Sequence, residues 1–132
     1  MALRFQFDRK NKILLLRVEG PLTQEVLTEL QVAIRTYSNA TDAHAAIFDF
    51  SHVTEFALST AFIQQLARQE PSLANAASRR RVIVAAAGVG FGLSRMFQTM
   101  GESTRPLLAV ARTLNEAFEA LDVQSPHFEL LD

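Results

Sequence analysis

Two hydrophobic periods alternate along this chain, and that alternation restricts the fold more than any other feature. Short runs that are apolar at nearly every position, "ILLL", "AAIF" and "RVIVAAA", stand between segments whose apolar residues recur at helical spacing. A strand that is apolar on both faces has to be covered on both faces, the condition of a strand inside a parallel sheet. Val26, Leu27, Leu30, Ala33, Ile34 and Tyr37 keep helical spacing, and so do Leu58, Phe62, Ile63, Leu66 and Ala67. Strands and helices in alternation make an α/β domain with a mostly parallel sheet.

The first segment breaks the pattern. In "LRFQFD" Leu3, Phe5 and Phe7 alternate with Arg4 and Gln6, so it reads as a half-buried strand near a sheet edge. "RKNK" is the hairpin turn into a second strand, "ILLLRVEG", closed by Gly20-Pro21. Thr23 caps the first helix. "AAIFDF" is a central strand ending in a "DFSHV" turn, and Pro71 marks the end of the second helix or the start of a short one through Ala77. "RRRVIVAAAG" is the fourth strand, its basic run read as solvated strand-entry charge. Leu93, Met96, Phe97 and Met100 give a third helix stopped by Gly101, and "PLLAV" is a fifth strand at an edge. Thr113 caps a last helix with Leu114, Ala117, Phe118 and Leu121 inward, and Glu116 stands at capping-box spacing. The expectation is a single α/β domain over 1–123, with a mixed sheet of about five strands and about four helices, and a loosely held tail over 124–132.

The totals remove several functions. A chain of 132 residues suits one domain, and a formal net charge of -1 offers no basic face for nucleic acid. With no cysteine there is neither thiol catalysis nor a zinc-cysteine site. "MALRFQFDRK" lacks the apolar core of a signal peptide, and no window nears the roughly 18 apolar residues of a membrane span. A cytoplasmic protein without stable membrane association is expected, and a homodimer is left open.

Taken together, these stretches resemble the STAS domain, shared by anti-anti-sigma factors and the cytoplasmic ends of sulfate transporters. "LRVEGPLTQEVLTELQVAI" looks like its second strand, turn and first helix, and "AIFDFSHVTEFALSTAFIQQLA" like its central strand and the helix bearing the switch loop. "RVIVAAAGVGFGLSRMFQTMGESTRPLLAVARTLNEAFEAL" follows its closing strands and helices. The family's loop reads Asp-Ser-Ser-Gly or Asp-Ser-Thr-Gly, with the first hydroxyl phosphorylated by a partner kinase. The resemblance puts Ala57 at that Asp, Leu58 at the acceptor, Ser59 at the second hydroxyl and Thr60 at the Gly. Leucine cannot carry a phosphate, so the resemblance moves the candidate phosphoacceptor to Ser59 or Thr60.

Each candidate also has a plainer reading. A phosphate on Ser59 or Thr60 would sit at a helix N-terminus, where free N–H groups favour negative charge, but Ser59 equally suits an N-cap. Asp49, Ser51 and Thr54 belong to the loop expected to dock a partner, while an Asp there also accepts backbone N–H bonds. His52 beside Ser51 lacks an orienting third group and reads as a solvent-facing residue. Gly88, Gly90 and Gly92 are spaced G-x-G-x-G without a lysine, which matches neither nucleotide fingerprint. Phe56 and Phe91 flank loops expected at one end of the sheet, where an exposed aromatic pair would anchor a partner.

The leading expectation is therefore a non-enzymatic signalling module resembling an anti-sigma factor antagonist. It docks a protein partner, by resemblance a kinase-like anti-sigma factor, through residues 49–62, including Leu58. The alternative is a STAS-like domain binding a small molecule or lipid in an apolar pocket. No carboxylate pair, triad or metal spacing supports an enzyme, a metal or a cofactor.

Overall fold

All five expected strands form. The structure, a computed structural model, describes residues 3–69, 79–86, 88–102 and 105–131. In chain order its elements are β1 (Leu3–Asp8), β2 (Ile13–Leu22), α1 (Gln24–Ala40), β3 (Ala45–Phe56), α2 (Thr60–Arg68), β4 (Arg80–Val84), α3 (Val89–Met100), β5 (Leu108–Ala111), α4 (Leu114–Ala120) and β6 (Glu129–Leu130). The sheet runs β5-β4-β3-β2-β1-β6. Strands β2 to β5 are parallel, and β1 pairs antiparallel with both β2 and β6. The short helix considered between Pro71 and Ala77 lies outside the described residues.

The register shows how the strands bury both faces. Leu16, Phe48, Ile83 and Val110 form one row across the sheet, and Leu15, Ile47, Val82 and Ala109 form the row facing the other way. The first face packs against α1, α2 and α3 through Leu27, Leu30, Phe62, Leu66 and Phe97. The second is covered by α4 with Leu114, Ala117, Phe118 and Leu121. Each side chain removed from water on these faces contributes roughly 1.5–3 kcal/mol, and both layers are needed to cover a sheet apolar on both sides.

The helix starts follow their caps. Thr23 Oγ1 accepts from Val26 N–H, Ser59 Oγ from Phe62 N–H and Thr113 Oγ1 from Glu116 N–H. The Glu116 carboxylate reaches back to Arg112 N–H, one residue before the position a capping box uses.

Three expectations are corrected. The sheet of about five strands gains a short sixth, because the segment expected as a loosely held tail is held down. Its Phe128 stacks on Phe118, His127 N–H donates to the buried Asp8 carboxylate at 3.0 Å, and Glu129–Leu130 pair with β1. Second, β2 does not close at Gly20-Pro21. Gly20 takes a left-handed φ of 84°, which only glycine adopts without strain, and the strand continues to Leu22. Third, the basic run is not uniformly solvated, since Arg80 is exposed while Arg81 is 5% exposed. Period two puts Arg81 on the face of Ile83, in a row between Ala46 and Leu108, and the small Ala46 leaves room for the longer side chain.

Candidate functional site

The loop expected after Asp49 is a strand. Strand β3 leaves β4 at Asp49 but stays paired with β2 as far as Phe56, taking one extra residue at each of two register shifts, between Arg17/Glu19 and between Gly20/Pro21. A bulge of this kind bends a strand and redirects its side chains. The "DFSHV" turn is thereby corrected to a bulged extension, which exists because β2 runs on far enough to partner it.

The first bulge is organised by one carboxylate. Asp49 is 0% exposed. Its Oδ1 accepts from Ser51 N–H at 2.9 Å and from the Ser51 hydroxyl at 2.5 Å, and its Oδ2 accepts from Arg17 Nε at 3.1 Å. Arg17 is the Asp49 neighbour in register on β2, so the ion pair spans two adjacent strands. His52 Nδ1 lies 3.2 Å from Ser51 Oγ. With the serine hydroxyl donating to Asp49, the imidazole is not poised to take its proton. This is a scaffold for an exposed bulge, and Ser51, His52 and Thr54 stand on the surface.

The second part of the site is the start of α2. Ser59 Oγ caps the helix at 3.1 Å from Phe62 N, with an extended backbone (φ -86°, ψ 157°). Ser59 and Thr60 are exposed, whereas Leu58 turns inward onto the core face beneath α1–α3. Phe56 also turns inward, edge-on to Phe50 with ring centroids 6.5 Å apart. Its ring occupies the space that a β-carbon on Gly90 would need. Gly88 supplies the left-handed φ of 102° that opens α3, while Gly92 faces open space. The first two glycines thus have backbone and packing reasons.

Phe91 lies under the Arg112 guanidinium, 4.8 Å from carbon to ring centroid. The β3–α2 and β4–α3 loops do meet at one end of the sheet, but through Phe56 and Gly90. An exposed Phe56–Phe91 pair is not formed, and the large apolar side chain standing in solvent there is Val89, 69% exposed.

No protein-family model matches the sequence, and no curated protein matches it. Among solved structures, the anti-sigma factor antagonist SpoIIAA in its unphosphorylated form superposes with a TM-score of 0.56 at 13% sequence identity. The match covers 92% of this chain and 99% of that one. The chain has the STAS fold.

Within the STAS fold, sequence reasoning missed the polar lining of the core. A cavity of about 120 Å³ lies between the sheet and helices α1, α2 and α3. Leu22, Leu30, Phe48, Phe50, Leu66 and Phe97 give it an apolar wall, and Arg81 and Arg105 line it too. Arg105, 5% exposed, donates to the carbonyls of Ala67 at 3.1 Å and Gln69 at 3.2 Å, closing the C-terminus of α2, and it stacks on Phe97. Burial, and then the like charge of Arg105, lower Arg81 to about 10, so it remains cationic at neutral pH. The period-two count from Ile83 was the sequence signal for Arg81. Arg105, in the approach to β5, had none.

Among the described residues no group of three His, Cys, Asp or Glu could hold a metal, and no helix is long and apolar enough to cross a membrane.

Proposed function

We propose that this chain is a signalling module that docks a protein partner through the bulged end of β3 and the start of α2, residues 49–62. The observation that carries the reading is the exposure of Ser59 and Thr60 at the first turn of α2, in a fold shared with an anti-sigma factor antagonist, while Leu58 is turned into the core. The partner class is a kinase-like anti-sigma factor, and the module acts by binding, in the cytoplasm.

Ser59 or Thr60 is the phosphoacceptor. A phosphate there adds roughly -1.5 to -2 charges beside free N–H groups that tolerate them, and repels an acidic or apolar partner surface. The unmodified form binds and the phosphorylated form is released.

The test is capture of partners from source lysate with ATP present, comparing wild type with Ser59→Asp and Thr60→Glu. Capture of an ATP-binding protein by wild type and its loss with either variant supports the reading. Equal capture by all three removes the switch, and capture of no protein removes the docking role.

A further inference from the structure

We infer that the cavity between the sheet and helices α1, α2 and α3 is a binding site for a small neutral apolar molecule of about five heavy atoms. This goes beyond the docking reading and does not depend on it.

Helices α2 and α3 pack on each other, whereas α1 sits on β2, and the cavity is the space left where the three meet the sheet. Leu30 and Ile34 line it from α1, Leu66 from α2, Phe97 from α3, and Phe48 and Ile83 from the sheet. Ser94, the small member of the α3 wall, leaves the space unfilled. The volume sets the size of the occupant. It is about 120 Å³, against roughly 150 Å³ for a cavity that binds benzene, so about five heavy atoms fit.

The polar groups of the lining set the charge. The Ser94 hydroxyl donates to the Gly90 carbonyl at 2.8 Å, within its own helix. Arg105 donates to the carbonyls of Ala67 and Gln69 and stacks on Phe97, and Arg81 likewise has a partner within the protein. Both guanidinium groups are thus engaged by the protein itself, and the lining calls for no counter-charge. Among the described residues the remaining polar side chain of the lining is Gln31, which is uncharged. The rest of the wall is hydrocarbon and aromatic ring, against which an apolar molecule is removed from water. Phe56 and Leu58 belong to this wall, so the occupant touches side chains that precede α2.

The experiment is a titration of the methyl-labelled protein with cyclopentane, followed by NMR, in wild type and in Leu30→Phe, which puts a larger ring into the cavity. Leu66→Phe fills it from α2 and replaces Leu30→Phe if that variant does not fold. Cyclopentane is expected to shift the Leu58, Ile83 and Leu93 methyls saturably, with a Kd on the order of 1 mM from about five buried carbon groups. Tetrahydrofuran, a similar ring whose ether oxygen is costly to bury, is expected to bind about tenfold more weakly. The bicyclic indole is too large and is expected to leave these methyls unshifted. In the folded filling variant the cyclopentane shifts are expected to vanish. Three results overturn the inference: no saturable shift with cyclopentane, shifts confined to other methyls, or unchanged binding in the filling variant. Tetrahydrofuran binding as tightly as cyclopentane overturns the apolar assignment, and indole binding at the same methyls overturns the size limit.

Discussion

Phe56 occupies the place a β-carbon of Gly90 would take, and through this contact the end of β3 is keyed to the first turn of α3. Phe56 also packs edge-on to Phe50. Gly90→Ala is expected to destabilise the fold by about 1–3 kcal/mol, the range for forcing extra carbon into a packed core. Gly92 faces open space, and Gly92→Ala is expected to be neutral or to stabilise by up to about 1 kcal/mol through helix propensity. Urea denaturation of the two variants measures the contrast. Equal effects would show that the Phe56 contact is soft.

Removing Asp49 leaves Arg17 without its ion pair and Ser51 without the two bonds it donates to that carboxylate. Breaking a buried pair by deleting one partner costs about 3–5 kcal/mol, and the partial exposure of Arg17 places Asp49→Ala near the lower end. Ser51→Ala, which removes one hydroxyl bond, is expected to cost about 1 kcal/mol. Chemical denaturation supplies both numbers. An Asp49→Ala loss below that of Ser51→Ala would mean that the carboxylate does not organise the bulge.

Asp8 links the first hairpin to the C-terminal segment. Burial acts to raise its pKa, but the bonds from Asn11, His127 and Lys10 together outweigh it and hold the carboxyl below its ordinary value. A depressed folded-state pKa contributes stability that is complete above the unfolded value of about 3.8 and is lost as pH falls through the lower folded value. Asp8→Asn is expected to be less stable than wild type by about 1–3 kcal/mol at pH 7. The difference should shrink as pH falls below the usual carboxylate range. Thermal unfolding of both proteins across pH 2 to 7 tests the sign, and a gap that widened in acid would contradict it. Hydrogen exchange at Leu131, whose N–H bonds Phe5, should quicken in the variant.

Ser59→Ala removes the cap from α2 and is expected to cost about 1 kcal/mol, whereas Ser59→Asp keeps a capping oxygen and is expected to change stability by only a few tenths. Differential scanning calorimetry distinguishes them. This matters for function, because a change in partner capture by Ser59→Asp then reports charge at the loop rather than loss of the helix start.

The element order was legible in the sequence because burial on both faces writes itself as unbroken apolar runs, and burial on one face as period 3.6. The caps at Thr23, Ser59 and Thr113 were legible for a similar reason, since a hydroxyl before a helical period has a local partner within three residues. The resemblance to the STAS family rested on the same ordered pattern, which survives at 13% identity to SpoIIAA where residue identity does not.

What failed were the contacts whose partner is distant along the chain. The end of β3 looked like a turn, because its polar residues are paired by β2, some thirty positions earlier, across two bulges. The tail looked loose, because its anchors are Asp8 and Phe118. Phe56 looked exposed, because its neighbour Gly90 lies on α3, far along the chain.

By itself, then, the sequence determined the alternating elements, their caps and the layers that must cover the sheet, since each follows from the local rhythm of apolar and polar side chains. Only the tertiary structure decided that Leu58 and Phe56 turn inward while Ser59 stays outside, that Arg17 meets Asp49, and that Arg81 and Arg105 share one cavity. Register and helix packing place those groups side by side, and no local rhythm encodes which distant residue will stand opposite.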